Sequence, residues 1–571
     1  MNLFGTDGIR GRIAAGDDAG QTALDSYLEH RQVTPGLMRL MGEVIATRLR
    51  ADAPLEPEVI VGWDARSGNR GLTKALTHGL TLGGCSVTWA GEVATPGLLA
   101  CVLDQGALLG CMITASHNPA HDSGLKLFDE SGFKSFPCYE RELMELAEAL
   151  VSEDRDSDAV VSDGTDGPSR NIDGQRVHQQ TLNQRLSNIS HLLQTTLGDA
   201  AELGVISSNG LLVDGSKGST SDWLATWLSA RGMLSFEVST HRPQINDGCG
   251  AGAFSPRDQW TWEQLEQAGE SHALLAQISR RRSNGNGVAW THGQVVGAAL
   301  DGDGDRCLLL EVLPDASGIR IVDGDRMADD ILRAADARMP DAGWMLAASV
   351  ESDLGLTSSL GRFDSEVRAV QTAVGDRWLA AALSPAAPAV PPELLSGSEM
   401  PGVLGCEDSG HLVLPMLHPR DVNTWTLVGD GVMTLCSTLL ARCVIVGGDD
   451  CEPPFEAGWK LRSSVQDVNR SLWDGSNELS ERIADTASRW LTQNASSAVL
   501  DRKQVLGSTS LMLLEGSVDG VRTCLGVRNS GTEEKTSVSL RLEAGWESAF
   551  ATDPSELVSC LCDVLAERMR R

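Results

Sequence analysis

Residues 108–119 read LLGCMITASHNP, an apolar run that ends abruptly in a polar turn. The run is short and lacks the alternation of a half-exposed strand, so it predicts a strand buried on both faces of a parallel sheet. Residues 59–62 and 86–90 repeat the pattern upstream, with helix-length segments between the runs. This spacing favours βαβ units. Because ligand groups in open α/β sheets gather where strands end, Ser116 lies at a candidate site.

Similar alternation continues along the chain in three further blocks. A second α/β block has predicted strands at 210–214 and 295–300, with a polar insertion at 252–292 between them. A third block runs from about residue 321 to 446, with a Pro-rich excursion at 384–400.

The last region alternates as half-exposed strands before a helix at about 554–569. An Asp-, Ser- and Gly-rich linker is predicted at 151–175, and a hinge at 447–450. The predicted domains are residues 1–165, 176–320, 321–446 and 449–571.

The composition is that of an acidic globular chain. The 571 residues carry 78 acidic and 47 basic side chains, a formal net charge of −31, which argues against nucleic-acid binding and against docking on anionic membranes. No run approaches the roughly 20 apolar residues of a membrane span. The N-terminus lacks the pattern of a secretory signal, and the 13 cysteines contain no C-x-x-C pair. We therefore expect a reduced, cytoplasmic chain.

The Ser116 turn offers a hydroxyl that can act as a nucleophile or carry a phosphate. Asn118 and Pro119 favour a tight turn, which we expect to hold Ser116 exposed. The alternative is a simple turn cap, and no G-x-S-x-G pattern marks a hydrolase here. Lys126, ten residues on, is a candidate proton carrier, or else a solvated lysine.

Residues 301–306 read DGDGDR and follow directly on the apolar run at 295–300. Three carboxylates in so short a loop repel one another unless a cation neutralises them, and oxygen ligands suit Mg²⁺. An EF-hand would need Gly and Glu where Arg306 and Val312 stand. Three protein oxygens leave the shell incomplete, and a phosphate on Ser116 would help to complete it. An acidic surface turn is the alternative.

Two further loops carry groups suited to a phosphorylated sugar. Residues 405–411, GCEDSGH, place Glu, Ser and His between glycines, which suits sugar hydroxyls but is equally typical of an ordinary loop. Residues 528–533, RNSGTE, combine a guanidinium, two hydroxyls and a turn whose N–H groups can face an anion.

Five motifs occur in the order and rough spacing of the α-D-phosphohexomutases. They are residues 4–11 (FGTDGIRG), the Ser116 turn, 301–306, 407–411 and 528–533. The chain resembles this family over nearly its whole length. The opening octet and residues 245–251, INDGCGA, most resemble the phosphoglucosamine mutase branch.

The resemblance implies three related mixed α/β domains plus a C-terminal TATA-box-binding-protein-like α+β domain around a central cleft. It also implies a mutase that interconverts hexose 6-phosphate and 1-phosphate through a phosphoserine and a bisphosphate, most closely resembling one that acts on glucosamine phosphate. The implied cofactors are Mg²⁺ and a hexose 1,6-bisphosphate primer, and the implied partner is a sugar phosphate. Oligomeric state is not implied.

The implied site residues fall into three groups. The catalytic group is Ser116, Lys126, Arg10 and His117. The metal group is Asp301, Asp303, Asp305 and the phosphate of Ser116. The substrate group is Arg306, Glu407, Ser409, His411, Arg528, Ser530, Gly531 and Thr532.

Some positions depart from the family pattern. Ser123 stands in place of Asn, Gln371 in place of Arg, and Glu534 in place of Pro. An added carboxylate beside a phosphate clamp is unfavourable unless it points away. These departures bear on substrate preference, so glucose or mannose phosphate remains the alternative substrate. Two competing hypotheses are a non-catalytic sugar-phosphate-binding protein and a metal-dependent phosphatase.

Overall fold

The computed structural model describes residues 3–5, 7–15, 20–52, 55–153, 167–283, 290–387, 390–391, 393–448, 450–507, 510–530 and 534–570. Within these ranges the chain forms four β-sheets that follow one another along the sequence. Residues 154–166 of the predicted linker and Asp449 of the predicted hinge lie outside the described residues. Among the described helices, none is both long and apolar enough to cross a membrane.

The first sheet has the strand order β2-β1-β6-β5-β3-β4-β7. Its block contains β1 (Ile9–Ile13), α1 (Gln21–His30), β2 (Gln32–Val33), α2 (Pro35–Asp52), β3 (Glu58–Trp63), α3 (Asn69–Leu82), β4 (Ser86–Glu92), α4 (Thr95–Gln105), β5 (Leu109–Ile113), β6 (Asp122–Asp129), α5 (Pro137–Val151), β7 (Arg170–Asn171) and α6 (Gly174–Leu193). Strands β3, β4 and β5 are parallel, which confirms the prediction. Strand β6 returns antiparallel to β5, so the Ser116 turn connects a hairpin.

The second sheet has the order β10-β13-β12-β11-β8-β9. Its block contains α7 (Asp199–Glu202), β8 (Leu211–Asp214), α8 (Leu224–Ser229), β9 (Ser235–Glu237), β10 (Gln259–Thr261), α9 (Trp262–Ala268), α10 (Ala273–Ser283), β11 (Val295–Leu300), β12 (Cys307–Val312) and β13 (Gly318–Val322). The predicted strands β8 and β11 pair in parallel, and the Asp-rich loop joins β11 to β12. The predicted insertion adds β10 to one edge of this sheet.

The third sheet has the order β15-β14-β16-β17-β18. Its block contains α11 (Gly324–Arg338), β14 (Trp344–Ser349), α12 (Leu354–Ser358), β15 (Val367–Thr372), α13 (Asp376–Leu383), β16 (Val403–Cys406), β17 (Leu412–His418), β18 (Asp421–Gly429) and α14 (Gly431–Val446). The predicted Pro-rich excursion lies between α13 and β16, and residues 388, 389 and 392 of it are outside the described residues. The predicted sugar-binding loop is the turn from β16 to β17.

The fourth sheet is antiparallel, with the order β19-β23-β22-β21-β20. Its block contains β19 (Trp459–Gln466), α15 (Glu478–Asn494), β20 (Ala498–Lys503), β21 (Leu511–Val518), β22 (Val521–Asn529), β23 (Lys535–Leu542) and α16 (Ser555–Met569). The half-exposed strands and the final helix predicted for this region are confirmed by β21, β22, β23 and α16. One face of the sheet packs on α15 and α16, which leaves the other face available to line a site.

A large apolar core lies between the second and third sheets. Helices α6, α11 and α14 supply much of it, and α14 is apolar on nearly every side because it is buried between the two sheets. A smaller cluster joins α4 to β17 and β18, which fixes the first block against the third. Loops from different sheets are thereby held at a common centre.

Candidate active site

The Ser116 turn follows β5 and adopts a strained backbone. Ser116 has a φ of +54°, in the left-handed region that a non-glycine residue rarely adopts. Its N–H donates to Thr114 Oγ1 at 2.8 Å, which stabilises the turn locally. Strain of this kind persists only where surrounding contacts hold it.

Side chains from two different sheets hold this turn. Arg66 Nη2 donates to the carbonyl oxygens of Ser116 and Asn118 at 2.9 and 2.7 Å. Asn246 Nδ2, from the block of the second sheet, donates to the same two oxygens at 2.8 Å each. The position of the serine therefore depends on how the first two blocks pack.

The prediction that Ser116 is exposed is wrong: only 1% of the residue is accessible. Its Oγ donates to Asp301 Oδ2 at 2.7 Å, and Arg306 Nη2 lies 3.4 Å from the same Oγ. The reason is tertiary, since the Asp-rich loop of the second sheet packs directly over the turn. The serine and the three aspartates, which are far apart in sequence, thus form one cluster.

The three aspartates of the β11–β12 loop form a compact acidic group. Oxygens of Asp301, Asp303 and Asp305 lie within 4.8 Å of one another, and all three residues are buried. Burial, with repulsion from Asp305 and Asp303, raises the pKa of Asp301 to about 7. Oδ1 of Asp303 and Oδ1 of Asp305 are buried with no hydrogen-bond partner among the described residues. Uncompensated buried oxygens are unfavourable, so this donor set fits a hard divalent cation such as Mg²⁺.

Lys126 supplies positive charge to this group from β6. Its Nζ donates to Asp303 Oδ2 at 2.8 Å and to Asp305 Oδ2 at 2.9 Å, and lies 3.3 Å from Asp7 Oδ2. Burial opposes its charge, but the three carboxylates outweigh burial and hold the pKa of Lys126 well above its ordinary value. Lys126 is therefore a buried ammonium rather than a solvated lysine.

Arg306 and His117 lie next to Ser116. Arg306 Nε donates to Asp301 Oδ2 at 2.9 Å, and its Nη2 contacts His117 Nδ1. The Arg306 charge, followed by burial, holds the pKa of His117 well below its ordinary value. The imidazole is consequently neutral.

Arg10 and Lys134 extend the cationic side of the site. Arg10 Nη1 donates to Asn118 Oδ1 at 3.1 Å, and Arg10 is ion-paired with Asp7. Lys134 Nζ bridges Asp7 Oδ1 and Asp376 Oδ1, at 2.7 Å each. The predicted residue Arg10 thus joins the Ser116 turn to an ion-pair network that sequence reasoning did not find.

A cavity of about 290 Å³ lies where loops and strands of all four blocks meet. Arg10, His117 and Arg306 line the side near the serine. The predicted sugar-binding residues Glu407, Ser409 and His411 also line the cavity, as do the predicted clamp residues Arg528 and Ser530. Gly531 and Thr532, also predicted, lie outside the described residues.

Polar contacts within residues 405–411 and with neighbouring loops order the predicted sugar-binding loop. Glu407 Oε1 accepts from the Gly375 N–H at 2.6 Å, and Ser409 Oγ donates to Glu407 Oε2 at 3.3 Å. His411 Nε2 lies 3.4 Å from Asp376 Oδ2 and 4.0 Å from Asp305 Oδ2, so it connects this loop to the acidic group. Burial raises the pKa of Glu407.

The departures from the family pattern lie away from the cavity lining. Ser123 is buried in β6 and donates to Asn69 Oδ1 at 2.6 Å. Gln371 lies in β15. Glu534 is exposed and lines a neighbouring groove of the fourth block rather than the cavity.

Several residues that line the cavity were not singled out from the sequence, among them Asp7, Lys134, Glu351, Asp376 and Arg462. Asp7 lies inside the opening octet, so its charge close to Arg10 in the sequence was the available signal. Asp376 lies in none of the five motifs. Lys134, Glu351 and Arg462 carry no motif, and only the packing of three blocks brings them to the cavity.

Comparison with known proteins gives similarity along the whole chain. Residues 1–153 match the family described as phosphoglucomutase/phosphomannomutase, alpha/beta/alpha domain I. The phosphoglucosamine mutase of Corynebacterium efficiens is 29% identical over 537 residues, covering 93% of each chain. That of Kineococcus radiotolerans is 28% identical over 571 residues, covering 99% of each chain.

Solved structures share the fold at lower identity. A phosphoglucomutase/phosphomannomutase family protein from Burkholderia thailandensis is 16% identical, with a TM-score of 0.58, over 99% of this chain and 97% of that one. The phosphoglucomutase pp63/parafusin from Paramecium is 14% identical, with a TM-score of 0.59, over 100% and 96%. The predicted multi-domain α/β fold class is thereby confirmed.

Proposed function

We propose that this chain, an isomerase of the phosphohexomutase type, interconverts glucosamine 6-phosphate and glucosamine 1-phosphate. Its resemblance to the α-D-phosphohexomutases, indicated by five motifs, is confirmed by the comparisons. The choice of glucosamine is supported by relatives that are named phosphoglucosamine mutases and by the opening octet. A cytoplasmic location is part of the same proposal.

One observation carries the chemistry. Ser116 Oγ is hydrogen-bonded to Asp301 in a buried acidic group, beside a cavity that Arg528 also lines. A phosphoryl carrier at one end and an anion-binding side chain at the other suit a substrate with phosphate at either of two positions. A phosphatase would need no second phosphate-binding end.

The proposed reaction begins with phosphorylated Ser116. The bond from phosphorus to Ser116 Oγ breaks while a bond to sugar O1 of glucosamine 6-phosphate forms, which gives the 1,6-bisphosphate. Lys126 starts as an ammonium, so it gives a proton to the departing Oγ and regains one from the sugar hydroxyl. After the bisphosphate reorients, the bond from phosphorus to O6 breaks while a bond to Ser116 Oγ forms. Lys126 gives a proton to the departing O6 and regains one from the Ser116 hydroxyl, which releases glucosamine 1-phosphate and restores phosphorylated Ser116.

The remaining roles follow from the donor sets. Asp301, Asp303 and Asp305 would hold Mg²⁺ together with the Ser116 phosphate, and the bound ion would neutralise charge on the transferred group. Arg528 and Ser530 hold the phosphate that is not reacting, with Gly531 and Thr532 as further proposed contacts. Glu407, Ser409 and His411 face the sugar hydroxyls, and Arg10, His117 and Arg306 position the reacting end. A hexose 1,6-bisphosphate serves as the primer that phosphorylates Ser116.

Coupled assays with glucosamine, glucose and mannose phosphates, each with and without bisphosphate primer, test this proposal. We expect the highest kcat/KM with glucosamine phosphate and stimulation by the primer. A higher kcat/KM with glucose or mannose phosphate would select the alternative mutase. Binding of all three sugar phosphates without turnover would indicate a non-catalytic binding protein.

A further inference from the structure

Two arginines of the fourth sheet converge on one carboxylate of the third block. Arg528 donates to Glu351 Oε1 from Nη2 at 2.9 Å and from Nε at 3.2 Å. Arg462 Nη1 donates to the other oxygen, Glu351 Oε2. All three side chains line the cavity, so the Glu351 carboxylate is ion-paired with two guanidiniums inside the proposed substrate site.

Strand register places further donors between the two arginines. Ser537 on β23 lies opposite both Ser464 on β19 and Arg528 on β22. The Oγ atoms of Ser464 and Ser537 lie 2.8 Å apart, and both residues line the cavity. Arg462 is two residues before Ser464 and therefore shares its face of the sheet. This face presents two guanidiniums and two hydroxyls, which is a donor set for an oxyanion.

We propose that Arg462 is a second phosphate-binding arginine and that Glu351 takes the place of the substrate phosphate while the site is empty. The inference rests on the proposed function, because it assigns which side chains hold the non-reacting phosphate. Charge supports the exchange: the carboxylate brings one negative charge to two guanidiniums, whereas a phosphate dianion brings two.

Access supports the exchange as well. The Arg462 side chain is 48% exposed and that of Arg528 is 22% exposed, whereas that of Glu351 is 10% exposed. The two guanidinium side chains are therefore more open to an incoming phosphate than the carboxylate that they hold. Glu351 then competes with the phosphate, so it lowers phosphate affinity in the wild type.

Binding of inorganic phosphate, measured by titration calorimetry on the full chain, tests the exchange without turnover. We expect Arg462→Ala to weaken binding at least about tenfold, which corresponds to ~1.4 kcal/mol. Arg462→Lys should recover part of the loss, because charge returns without the planar fork. Glu351→Gln should tighten binding several-fold, since a neutral amide competes less well for the guanidiniums.

Arg522→Ala is the matched control. Arg522 lies on β22 like Arg528, but it pairs with Glu515 and is not part of the cavity lining. We expect its phosphate affinity to stay within about twofold of wild type.

A different pattern would overturn the inference. If Arg462, Arg528 and Glu351 only connect the third and fourth blocks, both Arg462→Ala and Glu351→Gln will lower the melting temperature. In that case Arg462→Ala will leave the phosphate affinity unchanged, and Glu351→Gln will leave it unchanged or weaken it. Failure of the proposed function would give a different result. The wild type would then turn over no sugar phosphate, while Arg462→Ala would still weaken phosphate binding. That outcome contradicts the mutase activity but supports the oxyanion site.

Discussion

The position of Ser116 is predicted to depend on an amide in another block. Asn246 Nδ2 donates to the carbonyl oxygens of Ser116 and Asn118, and Asn246 itself has a φ of +59°. Asn246→Gly removes the amide while keeping a residue that adopts this φ without strain. Asn246→Asp keeps the shape but turns a donor into an acceptor that faces two carbonyl oxygens.

The size of the effect follows from the two hydrogen bonds. Each contributes about 0.5–1.5 kcal/mol net, so the loss of both amounts to about 1–3 kcal/mol. At 1.36 kcal/mol per decade, kcat should fall between about fivefold and about 160-fold for Asn246→Gly. Arg66 still donates to both oxygens, which keeps the turn in place. Asn246→Asp should lose more, because its carboxylate repels the carbonyls.

The measurement is a coupled mutase assay that gives kcat and KM separately, with melting temperatures as a check on folding. KM should change little, since Asn246 does not line the described cavity. Wild-type kcat in a folded Asn246→Asp variant would refute the reasoning. A loss confined to KM would also contradict it, because it would put Asn246 in substrate binding.

Three further outcomes are expected. Asp303→Asn removes one charge from a hard-cation site, so the Mg²⁺ concentration for half-maximal activity should rise at least about tenfold. Wild-type activity that resists EDTA would contradict the metal assignment. Arg528→Lys keeps the charge but loses the planar guanidinium that can donate two parallel hydrogen bonds to a phosphate. We expect kcat/KM to fall about ten- to a hundredfold, mostly through KM and equally in the forward and reverse reactions. An effect on only one direction would contradict the proposal that Arg528 holds the non-reacting phosphate in both substrate orientations. Burial raises the pKa of Glu237 from 4.5 to about 7. The folded state therefore binds more protons than the unfolded state between about pH 4.5 and 7, and stability falls as pH rises through this window. Glu237→Gln should remove this loss, about 3 kcal/mol at 1.36 kcal/mol per pKa unit, and raise the melting temperature at pH 8; equal pH slopes in the two proteins would contradict it.

The sequence predicted those parts that local patterns encode. Residues 108–113 and 295–300 were predicted as buried strands because a strand that is buried on both faces has a continuous apolar run rather than an alternating one. The turn at Ser116 and the loop at 301–306 read as sites because reactive groups follow strand ends. Both features depend on residues that are close together in the chain.

Contacts between blocks determine the remaining features, which local pattern could not show. The burial of Ser116 arises because Arg306 packs over it, and its backbone is held by Asn246. Glu351 and Arg462 occupy no motif, and their pairing exists only because the third and fourth blocks meet at the cavity. Strand β10 has only three residues, too few to show a period.

The most direct test of the account follows a labelled phosphate on Ser116. The full chain is phosphorylated with labelled hexose 1,6-bisphosphate, freed of ligand, and mixed with excess unlabelled glucosamine 6-phosphate. The account predicts that label leaves the protein and appears in glucosamine 1,6-bisphosphate and then in the monophosphates, and that Ser116→Ala takes up none. Label that stays on the protein, or uptake by Ser116→Ala equal to that of the wild type, would contradict the phosphoserine mechanism.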